Sequence, residues 1–153
     1  MRIPLSDSEL RTLGFIGCLR FQNTMEQGQE MKQSGAGGLN IVIDGVISEY
    51  AVAKYLNVHF DVNSDYRKFG ADLVSRKGKL IDVKSTRKEG GNLNAVLWSS
   101  KKPADIYILT EIYFDYVLII GYINREDFLI EENITDIGNG QFYSVSQSKL
   151  KPL

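Results

Sequence analysis

The stretch that decides the fold is GADLVSRKGKLIDVKST, residues 70–86, in which two largely apolar segments flank a loop at residues 76–78. A three-residue loop that ends in glycine is typical of a β-hairpin, because glycine readily adopts the left-handed conformation required at the last position. Apolar side chains on both sides of this hairpin predict a central place in a sheet. The same stretch nevertheless carries Asp72, Asp82 and Lys84, and these charges need an explanation.

The three charged residues are predicted to share one face of the hairpin. With the loop centred on Lys77, Asp72 and Asp82 lie directly opposite each other, and the two-residue period of a strand adds Lys84. Opposed carboxylates raise the pKa of at least one of the pair unless a cation lies nearby. Lysine offsets part of this charge, and Mg²⁺, which uses one or two carboxylates with water and phosphate oxygens, offsets more. The alternative is an ion pair on the surface of an exposed hairpin.

A further carboxylate, Glu49, lies in a segment predicted to form a helix over about 44–57, with Asp44 as its N-cap. The neighbours of Glu49 at helical spacing are all apolar, namely Val46, Ala53 and Leu56. A carboxylate in an apolar stripe is seldom buried without a partner. If this helix packs on the hairpin, Glu49 can join Asp72 and Asp82.

Helices are predicted at both ends of the chain with strands between them, which indicates an α/β fold of the mixed α+β kind. Ser6 and Glu9 form a capping-box pattern for a helix from about residue 7 to the low 30s. Further strands are predicted over residues 95–100, 104–113 and 116–123, followed by a short helix after Asn124 and a last strand. We expect one domain, with a helical extension (1–38), a core (44–123) and a C-terminal helix and strand (124–153).

The composition of the chain argues against several kinds of binding site and against a membrane location. The chain has 153 residues, 43% hydrophobic and 24% charged, with a formal net charge of −1, so contact with nucleic acid would depend on local patches. One cysteine and one histidine exclude an internal disulfide and a usual zinc ligand set. The most apolar run, residues 116–123, is too short to cross a bilayer, and the first residues lack the apolar core of a secretory signal. We expect a cytoplasmic protein without a membrane partner.

The order of these acidic and basic residues resembles the PD-(D/E)xK nuclease superfamily, which includes restriction enzymes, Holliday-junction resolvases and phage endonucleases. Glu49 on a helix, Asp72 on a strand and Asp82-Val83-Lys84 on the next strand match its pattern. The predicted elements over 44–123 also resemble its restriction-endonuclease-like αβββαβ core, a central mixed sheet flanked by helices, here with an extra N-terminal helix. Ala71 stands where the pattern nominally has proline.

The resemblance implies a Mg²⁺-dependent deoxyribonuclease, an endonuclease that hydrolyses DNA phosphodiester bonds by water attack. Mn²⁺ would substitute for Mg²⁺, and no organic cofactor would be needed. By resemblance, Asp72, Asp82 and the Val83 carbonyl would hold the ion, and Glu49 would bind a second ion or its water. Lys84 would position or deprotonate the attacking water and help to neutralise the phosphate.

Thr86, Arg87 and Lys88 follow the site directly and are candidate contacts to a nucleic-acid backbone, with a solvated turn as the plainer interpretation of the last two. A homodimer would supply the two sites needed to cut both strands. The compact size resembles phage-encoded and resolvase-like members, which implies a bacterial or phage-infected cell. Two alternatives stay open: a non-catalytic nucleic-acid-binding subunit on the same fold, and a nuclease that acts on RNA.

Overall fold

The computed structural model of the protein describes residues 1–28, 36–65 and 70–153. Within them the secondary structure is mixed α/β, as predicted. In chain order the helices and strands are β1 (Arg2–Pro4), α1 (Asp7–Glu26), α2 (Ala36–Leu56), β2 (Leu73–Val74), β3 (Leu80–Thr86), β4 (Leu93–Val96), β5 (Ile106–Ile112), β6 (Tyr116–Asn124), α3 (Arg125–Phe128), β7 (Ile134–Asp136) and β8 (Gln141–Val145). Short 3-10 helices cover Leu97–Lys101, Glu131–Asn133 and Gln147–Lys149.

Two sheets share the strands. The larger has the order β1-β6-β5-β3-β2 and is mixed, because β3 and β5 are parallel and its other pairs are antiparallel. The smaller has the order β4-β8-β7 and is antiparallel. Alternate residues of β5 enter different cores, so the larger sheet is covered on both faces. One core joins it to α1 and α2, through residues such as Leu13, Val52, Ile81 and Ile108, and the other joins it to α3 and the smaller sheet, through Leu93, Tyr107, Leu109 and Phe128.

The predicted hairpin and its register are confirmed. Leu73 pairs with Ile81 and Val74 with Leu80, which is the register of a loop centred on Lys77. Gly78 has a φ of 77°, as a left-handed turn position requires. The strand pairing ends at Leu73, so Asp72 lies just before β2 rather than within it.

The prediction that both strands of the hairpin are central is wrong for β2. This strand has two residues and lies at the edge of the sheet, where the Val74 side chain is 52% exposed. Only β3 is central, because it lies between β2 and β5. The apolar pattern of the hairpin reflects the burial of β3 and of Leu73, which is 2% exposed.

The two long helices pack side by side. The Ser6–Glu9 capping box that begins α1 is confirmed, and the predicted continuation of this helix beyond Gly28 falls in residues 29–35, outside the described residues. A Cβ on Gly17 would lie 2.7 Å from Ile43 Cγ1, so the glycine permits close contact with α2. The prediction of Asp44 as an N-cap is wrong, because α2 begins at Ala36 and Asp44 lies inside it.

The third strand leaves the predicted sheet. The sequence predicts a strand over 95–100, whereas β4 spans Leu93–Val96, pairs with β8 in the smaller sheet, and is followed by a 3-10 helix. This segment is the crossover that parallel pairing of β3 with β5 requires. The larger sheet therefore has the two long helices on one face, and the smaller sheet with the short helix α3 on the other. None of the described helices combines the length and apolar character needed to cross a membrane.

Candidate active site

Three carboxylates from three elements approach one another beside β3. Glu49 comes from α2, Asp72 from the residue before β2, and Asp82 from β3. Glu49 and Asp72 line a cavity of about 290 Å³ together with Arg20 and Lys102. The charge of Asp82 acts on both of the other carboxyl groups and raises their pKa values. The structure thus brings together the residues that the sequence predicts as a site, and their catalytic roles stay predictions.

Asp82 is fully buried between two lysines. Its Oδ1 forms an ion pair with Lys84, which is two residues further along the same face of β3, and its Oδ2 lies 3.6 Å from Lys102 Nζ. Neither oxygen receives a directed hydrogen bond from the residues that the structure describes. A buried carboxylate without hydrogen bonds is costly. Both oxygens of Asp82 therefore depend on these two ammonium groups for compensation of their charge.

Asp72 contacts β3 through its side chain. Its Oδ2 accepts a hydrogen bond from the Val83 backbone N–H at 2.7 Å, and its own N–H donates to the Ile81 carbonyl at 3.0 Å. Burial raises the pKa of Asp72 to about 7, and the charges of Glu49 and Asp82 add to this shift, while Lys84 and the Val83 N–H oppose it. The charged form of Asp72 is thus disfavoured first by loss of solvent and then by the two neighbouring negative charges. Val83 joins the site through its N–H, and its carbonyl as a ligand stays a prediction.

Glu49 is held by an arginine that the sequence analysis missed. Arg20 Nη1 lies 2.7 Å from Glu49 Oε2, and the same guanidinium donates to the carbonyls of Asp61 and Asn63. Burial raises the pKa of Glu49, and the charge of Asp82 adds to the shift, although Arg20 lowers it in part. The helical pattern of α1 gives no signal for this role, because the contact depends on how α1 crosses α2.

Lys102 is a second residue that the sequence does not predict as part of the site. It follows the 3-10 helix of the crossover, lies next to Asp82, and lies 5.3 Å from the ring centroid of Trp98. Its charge lowers the pKa of Glu49. The sequence alone does not separate Lys102 from Lys101. The parallel pairing of β3 and β5 sets Ile106 beside Ile81 and brings the start of β5 to the site. Lys102 lies near the site because it closely precedes this strand.

The predicted nucleic-acid contacts divide into two groups. Arg87 binds the Asp44 carboxylate through Nε at 2.7 Å and Nη2 at 2.6 Å, so it fastens the loop after β3 to α2. Thr86 and Lys88 instead line a groove of about 650 Å³, to which Lys84 also contributes. Arg87 therefore contacts α2, whereas Thr86 and Lys88 face the groove.

The residues present fit a small, hard cation in part. Within residues 1–28, 36–65 and 70–153, no group of three or more His, Cys, Asp and Glu side chains is placed to hold a metal ion. Two carboxylates suffice for Mg²⁺, whose other ligands are commonly water and phosphate oxygens. Asp82, whose two oxygens accept no hydrogen bond from the described residues, and Asp72, with its raised pKa, supply two such groups.

Comparison with known proteins gives no match for this chain among family models, curated proteins or solved structures.

Proposed function

We propose that this protein is a metal-dependent nuclease that hydrolyses DNA phosphodiester bonds, with Mg²⁺ as the ion. The observation that carries the proposal is the fully buried Asp82, whose oxygens contact only the ammonium groups of Lys84 and Lys102 among the described residues, with the half-buried Asp72 beside it. The succession α2, β2 and β3, which supplies Glu49, Asp72 and the Asp82–Lys84 pair, supports a restriction-endonuclease-like core. The departure of β4 into a separate sheet is this chain's difference from that pattern.

The ion would be held by Asp72 and Asp82, with Glu49 as a further ligand directly or through water. Carboxylate oxygens are the ligands that Mg²⁺ prefers, and its charge would favour the ionised form of Asp72, which burial and the charges of Glu49 and Asp82 disfavour. When bound, it would shield the phosphodiester charge and lower the pKa of its water. Its binding would replace part of the compensation that Arg20 and Lys102 now supply.

The lysines would handle the substrate's charge. Lys84 is held by Asp82, and its side chain is 25% exposed, so its ammonium can meet a phosphate at the edge of the site. Lys102 presents a second ammonium to the cavity lined by Glu49 and Asp72. Charges held in place before the reaction stabilise the extra negative charge of a phosphoryl transition state.

A cleavage panel tests the proposal. Plasmid, branched DNA, single-stranded DNA and RNA are each incubated with Mg²⁺, Mn²⁺ or EDTA. We expect DNA cleavage with either metal and none in EDTA. Asp82→Asn and Lys84→Met should each lower the rate by about 100-fold or more. Asp115→Asn and Lys79→Met, which change exposed residues elsewhere, are the matched controls.

Two results would contradict the nuclease proposal: full activity in either site variant, or no cleavage of any substrate by the wild-type protein. Circular dichroism melting of each variant separates loss of activity from loss of folding. Cleavage of RNA alone would support the alternative, a nuclease with the same chemistry that acts on RNA.

A non-catalytic nucleic-acid-binding subunit is the second candidate, and one observation favours it. Cations already lie against two of the carboxylates, since Arg20 pairs with Glu49, while Lys84 and Lys102 flank Asp82. A binding module could keep these ion pairs without any metal. Calorimetric titration separates the two candidates, because heat of binding with millimolar Mg²⁺ or Mn²⁺ is expected only for the nuclease.

A further inference from the structure

We propose that a groove beside the candidate active site binds a single strand of nucleic acid and leads it towards Lys84. This groove, here called the sheet groove, lies between the end of β3 and the smaller sheet and has a volume of about 650 Å³. Residues that define it are Lys84, Thr86, Lys88, Asn94, Phe142 and Ser144. The inference rests on the proposed nuclease function, because it names the form of substrate that reaches that site.

The charge of the sheet groove suits a polyanion. Its ionisable side chains are Lys88 and Lys84, of which Lys84 is paired with Asp82, and no carboxylate lies among the described residues that line it. This bias is local, since the chain as a whole has a formal net charge of −1. The remaining polar side chains carry hydroxyl or amide groups, which commonly bind phosphate and sugar oxygens.

The floor of the groove offers a surface for bases. In β8 the side chains alternate, so that Tyr143 and Val145 are buried in the core while Phe142 and Ser144 face the groove. Phe142 is in register with Val96 of β4 and Thr135 of β7, so it lies on the middle strand of the sheet.

The apolar surface continues at Ile137, which also lines the groove and is 74% exposed. Bases stack on aromatic side chains with little regard to sequence. In a duplex the faces of the bases are already stacked on each other. The half-buried Phe142 and the exposed Ile137 together therefore favour a single strand.

Lys84 links the groove to the candidate active site, although the cavity of that site is lined by other residues. Lys84 lines the groove, and its ammonium pairs with Asp82 inside the site. The loop after β3 is held in place, because Arg87 binds Asp44 and the Gly90 N–H donates to the carboxylate of Glu111 at 2.8 Å. A strand in the groove would meet a surface that is already formed, with its phosphates passing Lys88 and then Lys84.

Binding without cleavage tests the inference. Fluorescence anisotropy is measured in EDTA with labelled oligothymidine and with a duplex of the same length. We expect tighter binding of the single strand. Lys88→Glu should weaken it about tenfold, and Phe142→Leu, which keeps apolar bulk but removes the ring, about fivefold.

Matched controls come from the same residue types elsewhere. Lys77→Glu changes an exposed lysine at the other end of β3, and Phe114→Leu changes a residue that is 93% exposed between β5 and β6. Both should change the affinity by less than about twofold. Thermal melting checks that Phe142→Leu is folded.

Three results would overturn the inference: no binding of oligothymidine by the wild-type protein, tighter binding of the duplex, or unchanged affinity in both groove variants. Cleavage activity is measured in parallel and reports on the nuclease proposal separately. Single-strand binding that depends on Lys88 and Phe142, without any cleavage, would support the groove and contradict the nuclease. Metal-dependent cleavage with unchanged binding in both groove variants would support the nuclease and contradict the groove.

Discussion

Two carboxyl groups of this molecule lie in surroundings that disfavour their charged forms. Asp72 and Glu49 have raised pKa values because burial and neighbouring carboxylates both disfavour their charged forms. Asp82 avoids solvent entirely and depends on Lys84 and Lys102 for compensation. Perturbed carboxyl groups grouped around a cavity are typical of functional sites, although structural ion-pair networks also produce them. Substitution of Asp72 and of Lys102 tests these surroundings directly.

Asp72→Asn should change how stability depends on pH. The asparagine keeps a side-chain oxygen for the Val83 N–H but cannot ionise. Because the pKa of Asp72 is raised from 3.8 to about 7 in the folded protein, the folded state keeps a proton that the unfolded chain loses near pH 4. Wild-type stability should therefore fall between about pH 4 and pH 7, by on the order of 4 kcal/mol, and the variant should lose most of this slope.

Urea unfolding in EDTA across this pH range measures the effect. Asp127→Asn, which changes an exposed carboxylate, should follow the wild-type curve. Parallel curves for Asp72→Asn and the wild-type protein would show that Asp72 does not hold the proton.

Lys102→Met should weaken the proposed catalysis and move its pH profile. The ammonium lies 3.6 Å from Asp82 Oδ2 and lowers the pKa of Glu49. Its removal raises that pKa, so the acid limb of the rate profile should shift to higher pH, and the rate should fall by about tenfold or more. Initial rates of DNA cleavage are measured across pH, with Lys101→Met as the control. An unshifted profile at an unchanged rate would exclude Lys102 from the site.

At the scale of elements, β3 and the α1–α2 pair build the site. β3 presents Asp82 and Lys84 on one face, and its parallel pairing with β5 brings Lys102 to them. The close approach of α1 to α2 at Gly17 precedes the Arg20–Glu49 ion pair by about one turn of helix. The spacing of these helices therefore decides whether Arg20 reaches Glu49.

Gly17→Ala should destabilise the fold by forcing the helices apart. The added Cβ would lie 2.7 Å from Ile43 Cγ1 and 2.9 Å from Ile43 Cα, and the backbone atom cannot turn aside. We expect a loss of about 1–3 kcal/mol in the free energy of unfolding. Gly14→Ala is the matched control, since no neighbouring atom of the described residues lies within 4 Å of its added Cβ, and it should be neutral or stabilising by up to about 1 kcal/mol. Denaturant unfolding compares both, and equal effects would contradict the close approach.

At the scale of the whole molecule, a binding ion should stabilise the folded state. The carboxylates come from α2, the residue before β2, and β3, so they are together only when the chain is folded. A ligand at 100 times its dissociation constant adds about 2.7 kcal/mol to the free energy of unfolding. Mg²⁺ should therefore raise the Tm of the wild-type protein in calorimetry and leave that of Asp82→Asn unchanged. The same rise in both proteins would place the ion elsewhere.

Local chemistry explains what the sequence by itself determined. The hairpin register follows from the Gly78 turn, the start of α1 follows from the Ser6–Glu9 capping box, and β5 and β6 follow from their apolar runs. Alternation along the strand also puts Asp82 and Lys84 on one face. Each of these features depends on residues that are close in the chain.

Only the tertiary structure decided the rest. The placement of β4 in a second sheet, the edge position of β2, and the recruitment of Arg20 and Lys102 all depend on pairings between distant segments. Asp44 illustrates the limit, because its side chain suits an N-cap, yet the helix begins earlier and Arg87 binds it. Sequence periodicity reports which face of an element is apolar. It does not report which other element that face will meet, because that choice is made by the packing of the whole chain.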